Sequence, residues 1–334
     1  MNAEFFVGRS EYIKQALDAF TELFPSDVDG MPKIVTLIGP GGIGKTQLTM
    51  KISEEARSAG MFATGIIDLQ STANRSELSL LSSLARSLGV DNFSDYFEAL
   101  ASYNGTDNLD KSKQYNIAIE TFIAECKTLS IQAPVILLLD TFETIQGLKL
   151  ESRLLNLLYQ LGGRIGLVLA GRKKISLRED PSIELYLEPF SLPEAELLSK
   201  LLYRVRKIEY DLDEQILKAI YQLARGYPIL ITLAIEWIIE NAHPEDIINI
   251  PTEQFEREMV VHIRLLQELE SVAILLMAVA DRRFSAEIMS YLTDLSTEQC
   301  NVICSNLARF SFVKSREDQV LSLIHISEPT RQAE

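Results

Sequence analysis

The stretch that decides the fold of this chain reads Gly39-Pro40-Gly41-Gly42-Ile43-Gly44-Lys45-Thr46. An apolar run at residues 33–38 precedes it as a candidate buried strand, and a segment with helical periodicity follows at residues 47–52. Glycines allow the backbone to curl until successive N–H groups point at one anion, and the start of a helix adds its positive dipole end. The order strand, glycine-rich loop, helix therefore predicts a phosphate-binding loop.

The polar residues of this loop have separate predicted roles. Lys45 is expected to reach the β- and γ-phosphates of a nucleoside triphosphate, and the Thr46 hydroxyl to be a ligand of Mg²⁺. A chance glycine-rich turn is the alternative, but the full pattern is expected by chance in roughly one chain of this length in a hundred. We therefore expect ATP or ADP with Mg²⁺ as the bound cofactors. The predicted nucleotide-binding residues of the loop are Gly39, Pro40, Gly41, Gly42, Ile43, Gly44, Lys45, Thr46 and Gln47.

Length, charge and cysteine content exclude several classes of protein. A chain of 334 residues is long enough for two or three domains. Its longest apolar stretch, residues 272–280, is too short to span a bilayer, and the N-terminus lacks the zones of a signal peptide, so a cytoplasmic protein without a membrane partner is expected. The net charge of −15 argues against nucleic-acid binding. Three cysteines make no disulfide framework, and Cys300 and Cys304, which could suggest a metal pair, lack further ligands and are expected to be buried thiols.

Strand and helix patterns alternate over residues 33–190. Continuous apolar strands that alternate with helices predict an α/β fold, a parallel sheet covered by helices on both faces. From residue 191 onward helical patterns dominate, and a short alternating segment at residues 310–314 fits a small β-wing. The expected strands are 33–38, 62–69, 135–140, 165–170 and 183–187, and the expected helices are 77–88, 115–129, 193–203, 211–224 and 229–240, with a turn-rich stretch at 102–114.

Besides Lys45, three charged residues are candidates for catalysis around the loop. Asp140 ends an apolar strand, where a carboxylate holds the Mg²⁺ shell in phosphate-loop proteins; a helix N-cap is the alternative. Glu143 lies three residues further on and is either the general base for an attacking water or an exposed first-turn glutamate. Arg172 follows the strand at 165–170 and either reads the γ-phosphate or is a solvated cation.

The order of the motifs resembles that of the STAND class of signalling NTPases, which includes NB-ARC, NACHT and MalT-like proteins. Phe6-Val7-Gly8-Arg9, followed by Glu11, is similar to the class's "FVGR" motif, and residues 137–143 (Leu-Leu-Leu-Asp-Thr-Phe-Glu) are similar to its Walker B motif. Gly171-Arg172 resembles its sensor arginine, and Gly226-Tyr227-Pro228 its Gly-x-Pro signature. The resemblance spans nearly all of residues 5–320 and includes the loop at residues 39–46 as a Walker A motif.

The resemblance implies a P-loop NTPase of three domains. These are a nucleotide-binding domain at residues 1–190, a helical lid at 191–250 and a winged-helix-like domain at 251–320. It further implies that Val7, Gly8 and Arg9 pack near the adenine and that Pro228 touches the nucleotide. The implied function is a conformational switch: ADP holds a closed state, ATP favours self-association in response to a trigger ligand or protein, and slow Mg²⁺-dependent hydrolysis resets the switch.

Two other functions remain open at this stage. An AAA+ ATPase of the origin-recognition type also joins an "FVGR" motif to a winged helix and acts on DNA. Against it, residues 264–320 carry six Lys/Arg and eight Asp/Glu, whereas a DNA-binding face should be basic. A housekeeping ATPase with steady turnover is the second alternative, and it predicts rapid hydrolysis without a trigger.

The last residues, 321–334, are expected to be an artefact. Residues 321–331 read Leu-Ser-Leu-Ile-His-Ile-Ser-Glu-Pro-Thr-Arg, which is similar to the in-frame translation of a transposase sequencing adaptor. We therefore expect the natural protein to continue beyond residue 320, and His325 is given no function. The adaptor also begins where the class carries a histidine near the end of the winged helix, so that histidine is not identifiable here.

Overall fold

The computed structural model describes residues 6–23, 30–71, 74, 76–105, 110–177, 182–205, 212–241, 244–251, 255, 284–293, 296–307, 313–316 and 319–322. The chain forms two compact units. We call the first the sheet unit; it contains Arg9–Pro40 and Lys45–Leu187. We call the second the helical unit; it contains Met1–Gly8, Gly41–Gly44 and Glu188–Glu334.

The sheet unit has an α/β architecture, as the sequence predicts. Six strands of its described residues form one sheet in the order β2-β4-β5-β1-β6, with β3 also pairing with β4, and every pair is parallel. The strands are β1 (Lys33–Ile38), β2 (Phe62–Ala63), β3 (Ile67–Asp68), β4 (Val135–Asp140), β5 (Ile165–Gly171) and β6 (Ser182–Tyr186). The helices are α1 (Ser10–Thr21), α2 (Lys45–Ser58), α3 (Glu77–Leu88), α4 (Ser94–Gly105), α5 (Lys111–Gln132) and α6 (Lys149–Leu158).

Helices cover both faces of this sheet. β4 and β5 are buried along their whole length, as a parallel strand between two helical layers must be. Leu137 and Leu139 of β4 pack into a core with residues of α3, α5 and α6. On the opposite face, Phe20 of α1 lies so close to Gly166 of β5 that a Cβ added there would be 2.7 Å from the ring.

The predicted strand at residues 62–69 is split in two. β2 and β3 both pair with β4, but the chain between them is one residue longer than the stretch of β4 that it faces. At the break, the Leu138 amide donates to the Thr64 hydroxyl, 3.0 Å away, so a side chain replaces part of the backbone ladder. The prediction of one continuous strand is therefore wrong, and the extra residue gives a bulge.

Helices α1, α4 and α6 have no predicted counterpart, and α4 and α5 extend into the predicted turn-rich stretch. The N-terminus of α4 explains why its sequence is uninformative. Glu125 of α5 accepts hydrogen bonds from the amides of Asp95 and Tyr96, each at 3.0 Å. A carboxylate from a distant helix thus satisfies amides that a local capping residue would otherwise bond.

The helical unit contains helices and one small antiparallel sheet among its described residues. The helices are α7 (Leu192–Val205), α8 (Glu214–Ala224), α9 (Pro228–Asn241), α10 (Asp246–Asn249), α11 (Ala286–Thr293) and α12 (Thr297–Leu307). The strands are β7 (Phe284–Ser285), β8 (Val313–Arg316) and β9 (Gln319–Ser322), in the order β7-β9-β8. Trp237, Ile220 and Phe255 belong to a common buried core of this unit.

The C-terminal expectations are tested only in part. β8 contains the last two residues of the predicted β-wing, whereas residues 310–312 lie outside the described part of the chain. Leu321 and Ser322, which we assign to the adaptor, lie in β9, and His325 is outside the described residues. The winged-helix assignment and the domain boundaries stay predictions. Among the described residues, no helix has the length and apolarity needed to cross a bilayer.

The packing at Gly166 gives a test of this fold. Gly166→Ala should lower the free energy of unfolding by about 1–3 kcal/mol, because the added methyl group would lie 2.7 Å from both Ile136 and Phe20. Gly105→Ala is the matched control, since a Cβ at Gly105 meets nothing within 4 Å. Urea unfolding followed by fluorescence measures both. Equal stability of the two variants would contradict the described packing between α1 and β5.

Candidate functional site

The carboxyl ends of three central strands bring the predicted site residues of the sheet unit together. β1 lies between β5 and β6, and β4 lies on the other side of β5. Gly39, just after β1, donates its amide to the carbonyl of Gly171 at the end of β5, at 3.3 Å. Asp140 ends β4. The loop start, Asp140 and Arg172 therefore share one edge of the sheet, where open α/β sheets bind ligands.

The backbone of the loop has the torsion angles that only glycine adopts at little cost. Gly42 has φ 73° and Gly44 has φ 99°. Helix α2 begins at Lys45, directly after these turns. The first amides of α2 lack intrahelical partners, so the start of this helix presents N–H donors to an anion. Ile43 is fully buried, which fixes the loop in place.

Lys45 is buried and held by the loop itself. Its ammonium group donates to the carbonyl oxygens of Gly39 and Pro40, at 2.7 and 2.9 Å. A buried cation needs such partners, because an unpaired charge away from water is strongly disfavoured. The same contacts keep the ammonium beside the turn at Gly39 and Pro40, where the motif requires a cation for phosphate binding.

Thr46 and Asp140, the two predicted Mg²⁺ ligands, are in contact with each other. The Thr46 hydroxyl donates to Asp140 Oδ2 at 2.6 Å, and the Thr141 amide donates to Asp140 Oδ1 at 2.8 Å. A hydroxyl and a carboxylate in contact are the hard oxygen donors that suit Mg²⁺. Among the described residues, no group of three or more His, Cys, Asp or Glu is arranged to hold a metal. A site with only two protein ligands fits Mg²⁺, which keeps waters and binds substrate phosphates.

Glu143 and Arg172 are brought together, although the sequence gives them separate roles. Glu143 lies in a short 3₁₀ turn, Phe142–Thr144, after β4. Its Oε1 lies 3.0 Å from Arg172 Nε, and its Oε2 accepts the Arg172 backbone amide at 3.2 Å. The glutamate side chain is 18% exposed and the arginine side chain 33%. The Glu143 carboxylate is thus held at two points, and its role as a general base stays a prediction.

Two further residues shape the tip of β4, and the sequence interpretation missed both. Thr141 has a left-handed backbone with φ 57°, and its hydroxyl donates to Asp68 Oδ1. Asp68 ends β3, pairs in register with Asp140 and also accepts the Gln70 amide at 2.9 Å. The available signal was that Asp68, like Asp140, directly follows apolar residues. Asp68 thus fixes Thr141, whose amide in turn fixes Asp140.

The remaining predicted residues belong mostly to the helical unit. Val7 is part of its buried core. Gly8 has φ 65°, so any other residue here would be strained, and a Cβ would lie 2.3 Å from Glu194 Oε1. Arg9, in the sheet unit, is buried with its guanidinium 5.4 Å from the Tyr12 ring. The structure shows the packing of these three residues; their contact with adenine stays a prediction.

The Gly-Tyr-Pro segment leads directly to a contact with the loop. Gly226 has φ 75°, and its carbonyl accepts the Phe190 amide at 2.7 Å. Pro228 begins α9, and the next residue, Ile229, donates its amide to the carbonyl of Gly42 at 3.4 Å. A Cβ at Gly42 would lie 2.4 Å from Ile229 Cγ2. Within the helical unit, the first turn of α9 therefore packs on the glycine-rich loop, although a role for Pro228 is not tested.

Comparisons with known proteins agree with this geometry. Residues 6–169 match the family profile of the AAA ATPase domain. No curated protein matches the sequence. The structure is similar to that of a Signal Transduction ATPase with Numerous Domains (STAND) protein with a tetratricopeptide repeat sensor from Pyrococcus horikoshii, at a TM-score of 0.58 and 17% identity over 95% of this chain and 41% of that one. This chain thus spans about two fifths of the length of that relative.

Two replication proteins are also similar in structure. Cdc6p from Pyrobaculum aerophilum has a TM-score of 0.49 and 15% identity, over 97% of this chain and 93% of that one. The ORC1 protein of Aeropyrum pernix, solved in complex with DNA, has a TM-score of 0.44 and 15% identity, over 93% and 85%. Residues 6–169 of this chain thus match an AAA ATPase domain in sequence, and the fold is that of a P-loop NTPase, similar to that of the STAND ATPase above.

Proposed function

We propose that this chain is the nucleotide-binding part of a signalling ATPase, a switch that retains ADP and hydrolyses ATP slowly. The observation that carries the proposal is the double contact between Glu143 and Arg172. A general base must be able to accept a proton from water, and Glu143 is engaged by a guanidinium and an amide instead. Hydrolysis then requires a rearrangement of this pair, which is expected to be slow.

Each charged group has a defined role in this proposal. Lys45, together with the amides of residues 39–47, binds the phosphates of ATP. Thr46 and Asp140 would hold Mg²⁺, which when bound neutralises charge on the phosphate oxygens. Arg172 exchanges the Glu143 carboxylate for the γ-phosphate, and this exchange releases Glu143 to orient water. ATP can shift the conformation only through contacts that ADP lacks, and Arg172 supplies one such contact.

The contact between α9 and the loop supports a switch over a simple ATPase. Ile229 is bonded to Gly42, inside the loop that binds phosphates. Any adjustment of the Gly42 backbone on phosphate binding must therefore be accommodated by α9, which begins at Pro228. We infer that the helical unit reports the state of the nucleotide, with adenine near Val7, Gly8 and Arg9. Self-association in the ATP state and an external trigger would complete the switch.

The experiment that tests the function measures bound nucleotide and turnover in the same preparation. The purified chain should carry ADP close to one equivalent and hydrolyse ATP on the order of 10⁻³ s⁻¹, against about 10 s⁻¹ for a typical enzyme. Glu143→Gln should lower the hydrolysis rate at least about a hundredfold without weakening ATP binding. Glu98→Gln, an exposed glutamate of α4, is the control. Fast turnover without retained ADP would favour the housekeeping ATPase. Stimulation of ATP hydrolysis by duplex DNA would favour the origin-recognition type.

Removal of the loop cation tests nucleotide binding directly. Lys45→Ala should weaken ATP and ADP at least about a hundredfold, near 3 kcal/mol, because the buried ammonium is lost from the phosphate site. Lys51→Ala is the matched control, since Lys51 lies on the same helix and pairs with Glu54 and Glu55 at the surface. Calorimetric titration measures both variants. Unchanged affinity in the Lys45 variant would refute the assignment of the loop.

Replacement of Asp140 tests the metal site. In the wild-type chain Mg²⁺ should tighten ATP binding, and in Asp140→Asn this gain should fall to less than about threefold, because the amide is a poor ligand for a hard cation. Binding of ATP without Mg²⁺ should persist. Asp91→Asn, an exposed aspartate after α3, serves as the control. Full Mg²⁺ dependence in the Asp140 variant would remove this residue from the metal site.

A further inference from the structure

A polar cleft of about 570 Å³ lies in the sheet unit, among the helices that follow β3 and β4. We call it the α3–α6 cleft, because residues of α3, α4, α5 and α6 line it. Its volume falls within the range of small-molecule sites, about 300–1,000 Å³. None of the residues assigned above to phosphate, metal or water lines it. The cleft is therefore a cavity that the proposed ATPase reaction does not use.

Two guanidinium groups at the cleft have N–H donors that no described residue engages. Arg86 of α3 and Arg153 of α6 both line it and are both exposed. Among the described residues, no hydrogen bond or ion pair engages either side chain; the Arg86 guanidinium lies 5.9 Å from the Phe97 ring. Lys111 adds a third cation beside the cleft, 5.4 Å from the ring of Tyr103. In a chain of net charge −15, such a cationic cleft favours an anion.

The single carboxylate among the lining residues, that of Glu77, is bonded to a tyrosine and not to these arginines. Glu77 is buried and accepts a hydrogen bond from the Tyr115 hydroxyl. Burial and the neighbouring Glu77 carboxylate raise the pKa of Tyr115, so the phenol keeps its proton and remains the donor to Glu77. The carboxylate is therefore already bonded, and the guanidinium groups of Arg86 and Arg153 keep their donors for a ligand.

The cations indicate an anionic group in the ligand, and the aromatic lining indicates that the ligand also carries a flat organic group. The rings of Tyr103 and Tyr115 are 6.1 Å apart at 60°, and both line the cleft beside the amide of Asn104 and the hydroxyl of Ser79. Guanidinium groups bind phosphate oxygens in a planar fork, and tyrosine rings contact a flat organic group. We propose that the α3–α6 cleft binds a small phosphate monoester that carries a ring.

A chain of hydrogen bonds connects this cleft with Asp140. Ser83, which lines the cleft, donates to Asn74 Oδ1 at 2.7 Å, and Asn74 Nδ2 donates to the Asp68 carbonyl at 2.8 Å. The Asp68 carboxylate accepts the Thr141 hydroxyl, and the Thr141 amide bonds Asp140. A ligand that displaces Ser83 therefore changes the support of the metal aspartate. This coupling makes the bound monoester an effector, and it rests on the proposed nucleotide site.

The first experiment measures binding of 4-nitrophenyl phosphate to the full chain in the presence of saturating ADP and Mg²⁺. A Kd of about 1 mM is expected for a ligand of this size. Arg86→Gln and Arg153→Gln should each weaken binding at least tenfold. Arg204→Gln, on α7, is the matched control. No binding of the probe to the wild-type chain at 10 mM, or binding by the two cleft variants as tight as that by the wild-type chain, would overturn the site.

Two controls accompany this measurement. The Lys45→Ala variant distinguishes the cleft from the phosphate loop as the place where the probe binds. The neutral 4-nitrophenyl glucoside distinguishes binding of the phosphate group from binding of the ring. Unchanged probe binding in Lys45→Ala supports the cleft, and loss there would place the probe in the phosphate loop and overturn the proposal. Binding of the glucoside as tight as that of the phosphate would overturn the anion class. ADP affinity is measured alone beforehand, so a failure of the proposed ATPase is seen independently of the probe.

A second experiment tests the coupling. At 10 mM probe the Kd of ADP should change at least threefold in the wild-type chain, and by reciprocity ADP should change the Kd of the probe by the same factor. Ser83→Ala removes the first link, so its ADP affinity should no longer respond while both ligands still bind. An equal response in this variant, or none in the wild type, would overturn the role of the probe as an effector.

Discussion

The hydrogen bond from Thr46 to Asp140 is the contact on which the arrangement of this site depends. It joins the first turn of α2 to the end of β4, at 2.6 Å, and so ties the phosphate loop to the strand that carries the acidic motif. Parallel pairing alone brings strand ends to one edge, but it does not fix where a helix begins relative to its neighbours. Because α2 begins at Lys45, the Thr46 contact fixes the start of this helix, with its unpaired first amides, beside the end of β4.

Around this bond, each charged group of the site already has a partner within the protein. Lys45 is bonded to two loop carbonyls, and Glu143 to Arg172. A phosphate that binds here exchanges these contacts for its own, so the net gain per contact is smaller than for an unsatisfied site. Such exchange suits a switch, because the free energy of binding is used partly to rearrange the protein. It suits rapid turnover less, since Glu143 must separate from Arg172 in each cycle.

The sequence predicts most accurately those elements whose causes are local. The buried strand at residues 135–140 and helix α3 at Glu77–Leu88 agree with the structure to the residue, because continuous apolar runs and helical periodicity are written in adjacent positions. The sequence did not predict helix α4, because the amides at its N-terminus are bonded by Glu125 from another helix rather than by a local capping residue. The sequence also did not predict the pairing of Glu143 with Arg172, because the contact is not local. The two residues are 29 positions apart, and the pairing of β4 with β5 brings them together.

The buried polar residues beside β4 form a hydrogen-bond network that supports Asp140 as well as filling the space beside the sheet. Asp68 and Asn74 are both buried, and an apolar pair at these positions would avoid the desolvation that buried polar groups cost. Each donor and acceptor described in this network has a partner, so the network specifies one geometry at the tip of β4. Thr141 needs such support, because a threonine in the left-handed region is strained and would relax if it were released. We infer that the helices that follow β3 do more than cover the sheet. Through Ser83 and Asn74 they determine how firmly Asp140 is held.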